Sequence, residues 1–168
     1  MGLTRINNQA LTDITSAGLP SGSVLQVKYF SSTTVAQSNS TTYVDFISGT
    51  ITPSSTSSKI LCLVSTQLYI ITNNGARASL NLLRDSTLIH NIHNASSFGI
   101  GTPINGYRTA SFSYLDSPSS TSQITYKGQM NRASFNSSYG STFECNDHNM
   151  TLIAVSYTHL TLPTILRV

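Results

Sequence analysis

The chain has 168 residues, only 9% of them charged, and a formal net charge of +3 at neutral pH. Its length fits one domain with a sizeable core, and its few scattered basic residues give little electrostatic support for nucleic-acid binding. No run approaches the roughly twenty apolar residues of a membrane-spanning helix, and the first residues lack the apolar core of a signal peptide. We therefore expect one soluble domain with no membrane insertion and no nucleic-acid partner.

Apolar residues recur with a period of two along most of the chain, and clusters of Gly, Pro, Ser and Asn separate the strand-sized runs. Leu25, Val27 and Tyr29 alternate with polar residues and predict a first, half-buried strand. Val44 and Phe46 repeat this pattern in the next run. The sequence thus favours strands over helices from its first regular segment onwards.

The run from Lys59 to Val64 is apolar on both faces apart from its first residue. This pattern predicts a central strand that a second sheet covers on one face and a neighbour covers on the other. Residues 78–82 alternate again, and Arg84, Asp85 and Ser86 then turn the chain back.

Two further alternating runs, at residues 110–114 and 124–130, flank the turn that follows Asp116 and predict a hairpin. The last predicted strand covers Met150 to Ala154. Roughly eight short strands in a domain of this size are typical of a sandwich. We therefore predict an all-β protein with a single jelly-roll-like β-sandwich and a short extended N-terminal segment.

We divide the chain into an N-terminal attachment or linker segment at 1–20, the sandwich domain at 21–154 and a tail at 155–168. The tail begins with the letters VSYTHLTLPT. This string can be back-translated into DNA that resembles a common transposase sequencing adapter. We therefore expect residues 155–168 not to be native protein, and the native sequence after about Ala154 to be missing. The alternative is a genuine hydrophobic tail.

Side chains with catalytic or metal-binding chemistry do not cluster in the sequence. We interpret His90 and His93, the only close histidine pair, as polar loop residues, with a shared ion on an oligomer axis as the alternative. Asp147 and His148 could join a serine in a triad only by coincidence, because serines are abundant and no nucleophile-elbow pattern occurs. The six acidic residues provide no carboxylate pair of the kind that glycosidases use. We expect no catalytic residues, no metal site and no enzyme.

The two cysteines lie in different environments. Cys62 belongs to an apolar run and Cys145 to a polar segment, and neither forms a Cys-x-x-Cys pair. We interpret them as two free thiols, with a disulfide or a metal site as the alternative. No cofactor is implied.

Five sequence blocks follow one another in a fixed order and, as a set, carry a resemblance. They resemble a family of predicted structural proteins of marine and other tailed phages, over about residues 3–154. The resemblance implies a virion or tail-fibre-associated domain. We expect the protein to be assembled in the host cytoplasm and to contribute to host-surface adhesion. The alternatives are a capsid decoration or head-fibre protein and, as a third class, a carbohydrate-active enzyme. The blocks are GLPSGSVLQV from Gly18, ITPSSTSSKILCLV from Ile51, LRDST from Leu83, SFSYLDSP from Ser111 and TSQITYKGQM from Thr121.

The resemblance extends more loosely to the trimeric jelly rolls of the tumour-necrosis-factor and complement-C1q type, which implies a homotrimer. The N-terminal segment would then attach the domain to other virion proteins. An oligomer would also cover large side chains that an isolated sandwich leaves exposed, unless those side chains fill its core. These side chains are Tyr43, Tyr69, Ile70, Ile71, Tyr107 and Phe135.

Two connections, at residues 92–107 and 131–147, are longer than hairpins need and rich in Gly, Asn and Ser. Aromatic and arginine side chains on adaptable loops are typical of binding surfaces. We hypothesise that the two loops form a distal face that contacts a host glycan or protein; the alternative is variable loops without a ligand. The candidate binding residues are Phe98, Tyr107, Arg108, Arg132, Phe135 and Tyr139.

Overall fold

A computed structural model of the chain describes residues 19–72, 77–97, 104–133 and 142–157. These residues form nine strands and no helix. The strands are β1 Val24–Ser32, β2 Ala36–Ser38, β3 Val44–Ile51, β4 Lys59–Thr72, β5 Arg77–Arg84, β6 Thr87–Ser97, β7 Ile104–Asp116, β8 Ile124–Ala133 and β9 Thr142–Val155.

The strands form two antiparallel sheets that pack face to face. Sheet A has the order β1-β9-β4-β7, with the short β2 also pairing with β9, and sheet B has the order β3-β8-β5-β6. The pairing is nested, since β1 pairs with β9, β3 with β8, β4 with β7 and β5 with β6. This nesting is the winding of a jelly roll, and it confirms the predicted fold class.

The core lies between the sheets and is built from the inward positions of each strand. In β9 buried and half-buried residues alternate almost regularly, which is the period of two that the sequence shows. Cys62 and Cys145 are both free, as predicted, and both are buried, including Cys145 in its polar segment. Burial raises the pKa of each thiol to about 12, so both stay protonated at neutral pH.

The first strand turns a different face inwards from the one predicted. Val27 and Tyr29 are 56% and 64% exposed, whereas Phe30 packs against the core. The register between β1 and β9 shifts between Val24 and Gln26. Such an irregularity adds a residue to one strand and reverses which side chains face the core, so the alternation of the sequence alone gave the wrong face.

The predicted hairpin at residues 110–130 is also wrong, because β7 and β8 belong to different sheets. The connection after Asp116 contains Pro118 and the left-handed residue Ser119, with a φ of 51°. It carries the chain from sheet A to sheet B. Alternation shows that both strands exist, but it does not say which strand each one pairs with.

Two glycines allow aromatic rings to lie directly on the backbone of sheet B. A Cβ at Gly49 would overlap the Phe30 ring, and one at Gly128 would lie 2.6 Å from Cζ of Phe46 and 2.9 Å from Cγ2 of Ile47. Neither position therefore has room for a side chain. These glycines therefore let the edge of the sandwich close between β1, β3 and β8.

The GLPSGS turn and the end of β9 are joined by hydrogen bonds. The Gly22 N–H donates to the carbonyl of Ser156 (2.8 Å), and the Ser156 hydroxyl donates to the carbonyl of Pro20 (2.8 Å). Gly22 has a φ of +87°, which glycine adopts without strain. Among the described residues, β9 thus ends at Val155, and the next residue, Ser156, is also buried.

Candidate assembly and binding surfaces

Sheet A has an apolar band on the face that points away from sheet B. Directly paired residues project to the same side of a sheet, so the register defines rows across the four strands. Leu115 is 56% exposed and Leu63 is 39% exposed on this face. One row is Val27, Ile153, Leu61 and Leu115, and the next is Tyr29, Thr151, Leu63 and Ser113.

The third row of this face consists of small polar side chains. It contains Ser31, Asn149, Ser65 and Ser111. None of the three rows contains a charged residue. Sheet faces that meet solvent are normally polar, whereas charge depletion together with Leu and Tyr is typical of the centre of a protein interface.

Aromatic and charged side chains mark the two ends of the same face. Tyr69 and Tyr107 pair across β4 and β7 with their ring centroids 4.6 Å apart. Lys59 lies at the opposite end, where its Nζ is 4.9 Å from the centroid of the Tyr157 ring. The 14 residues of β4 and four strand spacings give the face roughly 900 Å². A standard interface uses about 800 Å² per partner, so the whole face has the area of one such contact.

The candidate loops begin and end at one end of the sandwich, which we call the loop end. Thr72 pairs with Ile104, and Arg77 pairs with both Ser97 and Ala133, so these strand termini lie side by side. The connections at 73–76, 98–103 and 134–141 join them. The predicted bounds of the two long connections, 92–107 and 131–147, are wrong, because β6 and β7 extend into the first range and β8 and β9 into the second.

Three of the six candidate binding residues lie in the described part of the chain. Tyr107 is 62% exposed on the outer face of sheet A. Arg108 is paired with the buried Leu68 and projects to the opposite side of β7. Arg132 is half-buried at the end of β8 in the other sheet. Phe98, Phe135 and Tyr139 lie outside the described residues.

The large side chains that were predicted to be exposed in an isolated sandwich do not all lie on its surface. Ile70 is fully buried in the core, and Tyr43 is half-buried with its hydroxyl accepting a hydrogen bond from Asn91 (3.3 Å). Tyr69 and Tyr107 remain on the outer face of sheet A. The side chain of Ile71 and all of Phe135 lie outside the described residues.

A polar cluster joins the two sheets at the end opposite the loops. The guanidinium of Arg84 on β5 donates to both carboxylate oxygens of Asp116 on β7, at 2.9 and 3.0 Å. The hydroxyl of the buried Tyr126 donates to the same carboxylate at 2.7 Å. Burial and this hydrogen bond raise the pKa of Tyr126, and burial and the charge of Asp116 raise that of Cys62. One cationic and one neutral donor thus share the Asp116 carboxylate.

The histidines do not form the sites that their sequence positions could suggest. His148 is 1% exposed, with its ring centroid 5.6 Å from that of Phe46, and neither ring nitrogen has a hydrogen-bond partner among the described residues. No serine of the described chain therefore completes a triad with it. Desolvation by burial lowers the pKa of His148 below 6.5.

The predicted loop position of His90 and His93 is wrong, because both lie on β6. The apolar residues before them extend the ladder with β5 beyond the turn. The His90 ring stacks on Tyr114, with centroids 5.2 Å apart. Among the described residues, no group of three or more His, Cys, Asp or Glu side chains is placed to hold a metal ion.

No helix in the described ranges is long and apolar enough to cross a membrane.

The chain matches no family model, and it matches none of the curated proteins. Its fold is similar to solved structures of the VP2 protein of infectious bursal disease virus, at low identity. A VP2 subviral particle matches with a TM-score of 0.46 and 12% identity over 81% of this chain and 38% of that chain. The T13 viral particle matches with a TM-score of 0.44 and 10% identity over 81% and 36%. The chain thus spans well under half the length of these capsid proteins.

Proposed function

We propose that this chain is a virion structural protein of a tailed phage, assembled in the host cytoplasm, and that it acts by assembly and adhesion and not by catalysis. The observation that carries the proposal is the polar cluster of Arg84, Asp116 and Tyr126. Each of these residues comes from a different block of the phage-family resemblance. Blocks that lie far apart in sequence meet at one point of the fold, which supports them as the signature of one domain type.

The domain forms a homotrimer through the outer face of sheet A. The three uncharged rows on this face and its area of roughly 900 Å² support a subunit interface. In a closed trimer each copy offers this face to its neighbours, and the exposed Leu63 and Leu115 on β4 and β7 leave water, while Tyr29 on the edge strand β1 stays accessible. The N-terminal segment, residues 1–20, contacts other virion proteins.

The loop end contacts the host surface. Both long connections start there, and Tyr107 and Arg132 lie close to it on different sheets. Assembly through the outer face of sheet A leaves the loop end of each domain accessible. The domain is therefore associated with the tail or its fibres and binds a host glycan or protein.

Competition with phage adsorption tests this function. We expect the purified full chain, added in excess to host cells, to reduce adsorption of the phage that encodes it, and tail genes to flank the coding sequence. Unchanged adsorption together with flanking capsid genes would overturn the adhesion function in favour of particle decoration. A bacterial gene context without phage genes would overturn the virion assignment itself.

A further inference from the structure

The sandwich has a cleft of about 540 Å³ along the edge where β1 and β3 lie side by side. Among the described strands, β1 pairs only with β9 and β3 only with β8, so one backbone edge of each strand faces the cleft. A strand edge presents unpaired N–H and C=O groups. The cleft is lined by Tyr29, Phe30, Ser31, Ser32, Asp45, Phe46, Ile47 and Ser48.

The cleft combines an apolar floor with a polar, almost uncharged rim. Phe30 and Phe46 are fixed in place by their close contacts with Gly49 and Gly128. Tyr29 stands exposed at the rim, beside the hydroxyl groups of the lining serines. The charge of Asp45 is balanced by Lys127, whose Nζ lies 3.5 Å from Oδ2. An ionic ligand therefore finds little net charge to bind.

His148 adds an unused polar group behind this cleft. It is the direct register partner of Ser32 and contacts Phe46, and both of those residues line the cleft. Its two ring nitrogens are buried and have no partner among the described residues. His148 is 1% exposed and is not among the residues that line the cleft, so it supports the floor through Phe46 and does not itself reach a ligand.

We propose that the cleft between β1 and β3 binds a neutral saccharide unit. A sugar ring offers both donors and acceptors to the serine hydroxyls and strand edges, and its C–H face stacks on an exposed tyrosine. Ligand sites usually enclose about 300–1,000 Å³, a range that includes this cleft. The inference rests on the proposed host adhesion and deepens it, because it names a ligand class and a site away from the loop end.

Two variants of the full chain test the site, since the protein has no tryptophan. Tyr29→Trp places a fluorescent side chain at the cleft, and Tyr107→Trp places one at the loop end with similar exposure. Each is titrated with glucose, galactose, mannose and N-acetylglucosamine. We expect a saturable change of emission with at least one sugar in Tyr29→Trp. Because Tyr107 is itself a candidate binding residue of the loop end, a response in Tyr107→Trp reports a separate site.

Blocking the cleft must remove this response. In the Tyr29→Trp background, Ser48→Phe fills the cleft and should weaken binding by about tenfold or more, whereas Ser122→Phe on an exposed turn should leave it unchanged. Saturation-transfer NMR on the unaltered chain provides a second readout. Saturation of the tyrosine ring protons should be transferred to the protons of the same sugar.

The remaining outcomes separate the cleft from the adhesion function. A response in Tyr107→Trp alone overturns the cleft and leaves glycan adhesion at the loop end. If neither variant responds and no saturation transfer is seen, the saccharide site is overturned. Adhesion to a host protein is then tested by competition with phage adsorption.

Discussion

Arg84 and Asp116 form an ion pair that joins sheet B to sheet A, with Nη1 of the arginine 2.9 Å from Oδ1 of the aspartate. Asp116 is almost fully buried, and Tyr126 also donates to it. Loss of Arg84 would leave a buried carboxylate with one neutral donor. The pair thus holds the sheets together at the end opposite the loops.

Removing Arg84 should therefore destabilise the protein strongly. We expect Arg84→Ala to lower the free energy of unfolding by about 2–3 kcal/mol, because a buried charge loses its partner. Urea denaturation followed by circular dichroism measures this change. The matched control is Lys127→Ala, which removes a more exposed pair with Asp45 and should cost less than about 1 kcal/mol. Equal effects of the two variants would contradict a special role for the Arg84 pair.

The contact between Gly128 and Phe46 predicts a second stability effect. We expect Gly128→Ala to cost about 1–3 kcal/mol, since the new Cβ would overlap the Phe46 ring. Adding Phe46→Leu should recover part of this cost in a double-mutant cycle. Gly106→Ala is the control, because a Cβ there meets nothing within 4 Å. Thermal unfolding midpoints that fall equally for both glycine variants would argue against the close packing.

His148 predicts how stability depends on pH. Its pKa is lowered below 6.5 by burial, so the unfolded chain takes up a proton at a higher pH than the folded chain does. The contribution of the neutral ring is complete above about pH 6.5 and is lost as the pH falls below that value. We expect the free energy of unfolding to decrease from pH 7 to pH 5, with a slope of at most about 1.4 kcal/mol per pH unit from this group.

The variant His148→Phe removes the titrating group while keeping an aromatic ring against Phe46. Its unfolding free energy should vary less between pH 7 and pH 5 than that of the unaltered chain. The same pH dependence in both proteins would show that other groups cause it.

A charge placed on the outer face of sheet A should disrupt assembly. We expect Leu115→Lys to convert the oligomer to a monomer without unfolding it, because an unpaired charge within the interface must lose its water. The control is Leu88→Lys on β6 of the other sheet, where the leucine is 53% exposed. Sedimentation velocity reports the two masses, and an intact oligomer in Leu115→Lys would place the interface elsewhere.

Local alternation was sufficient to predict the fold class and the existence of most strands. It could not predict the inward face of β1, because the irregularity near Gln26 depends on the pairing with β9. It also could not predict that β7 and β8 separate into different sheets, since strand pairing is decided by contacts far apart in sequence.

The surfaces were harder to predict than the strands. The apolar run at Leu61 and Leu63 did indicate a strand with two apolar faces, and the outer face of sheet A has that character. The cleft between β1 and β3 combines residues from two strands that pair with neither each other nor a common strand. No residue spacing in the sequence predicts that these two strands lie side by side. None predicts that Arg84 contacts Asp116 either.

The solution mass of the full chain tests the central claim most directly. Size-exclusion chromatography with light scattering, at micromolar concentration, should give three times the chain mass of 18.1 kDa. A trimer that Leu115→Lys dissociates would support assembly through sheet A. A clean monomer at the same concentration would contradict the subunit interface and leave the apolar band for another partner.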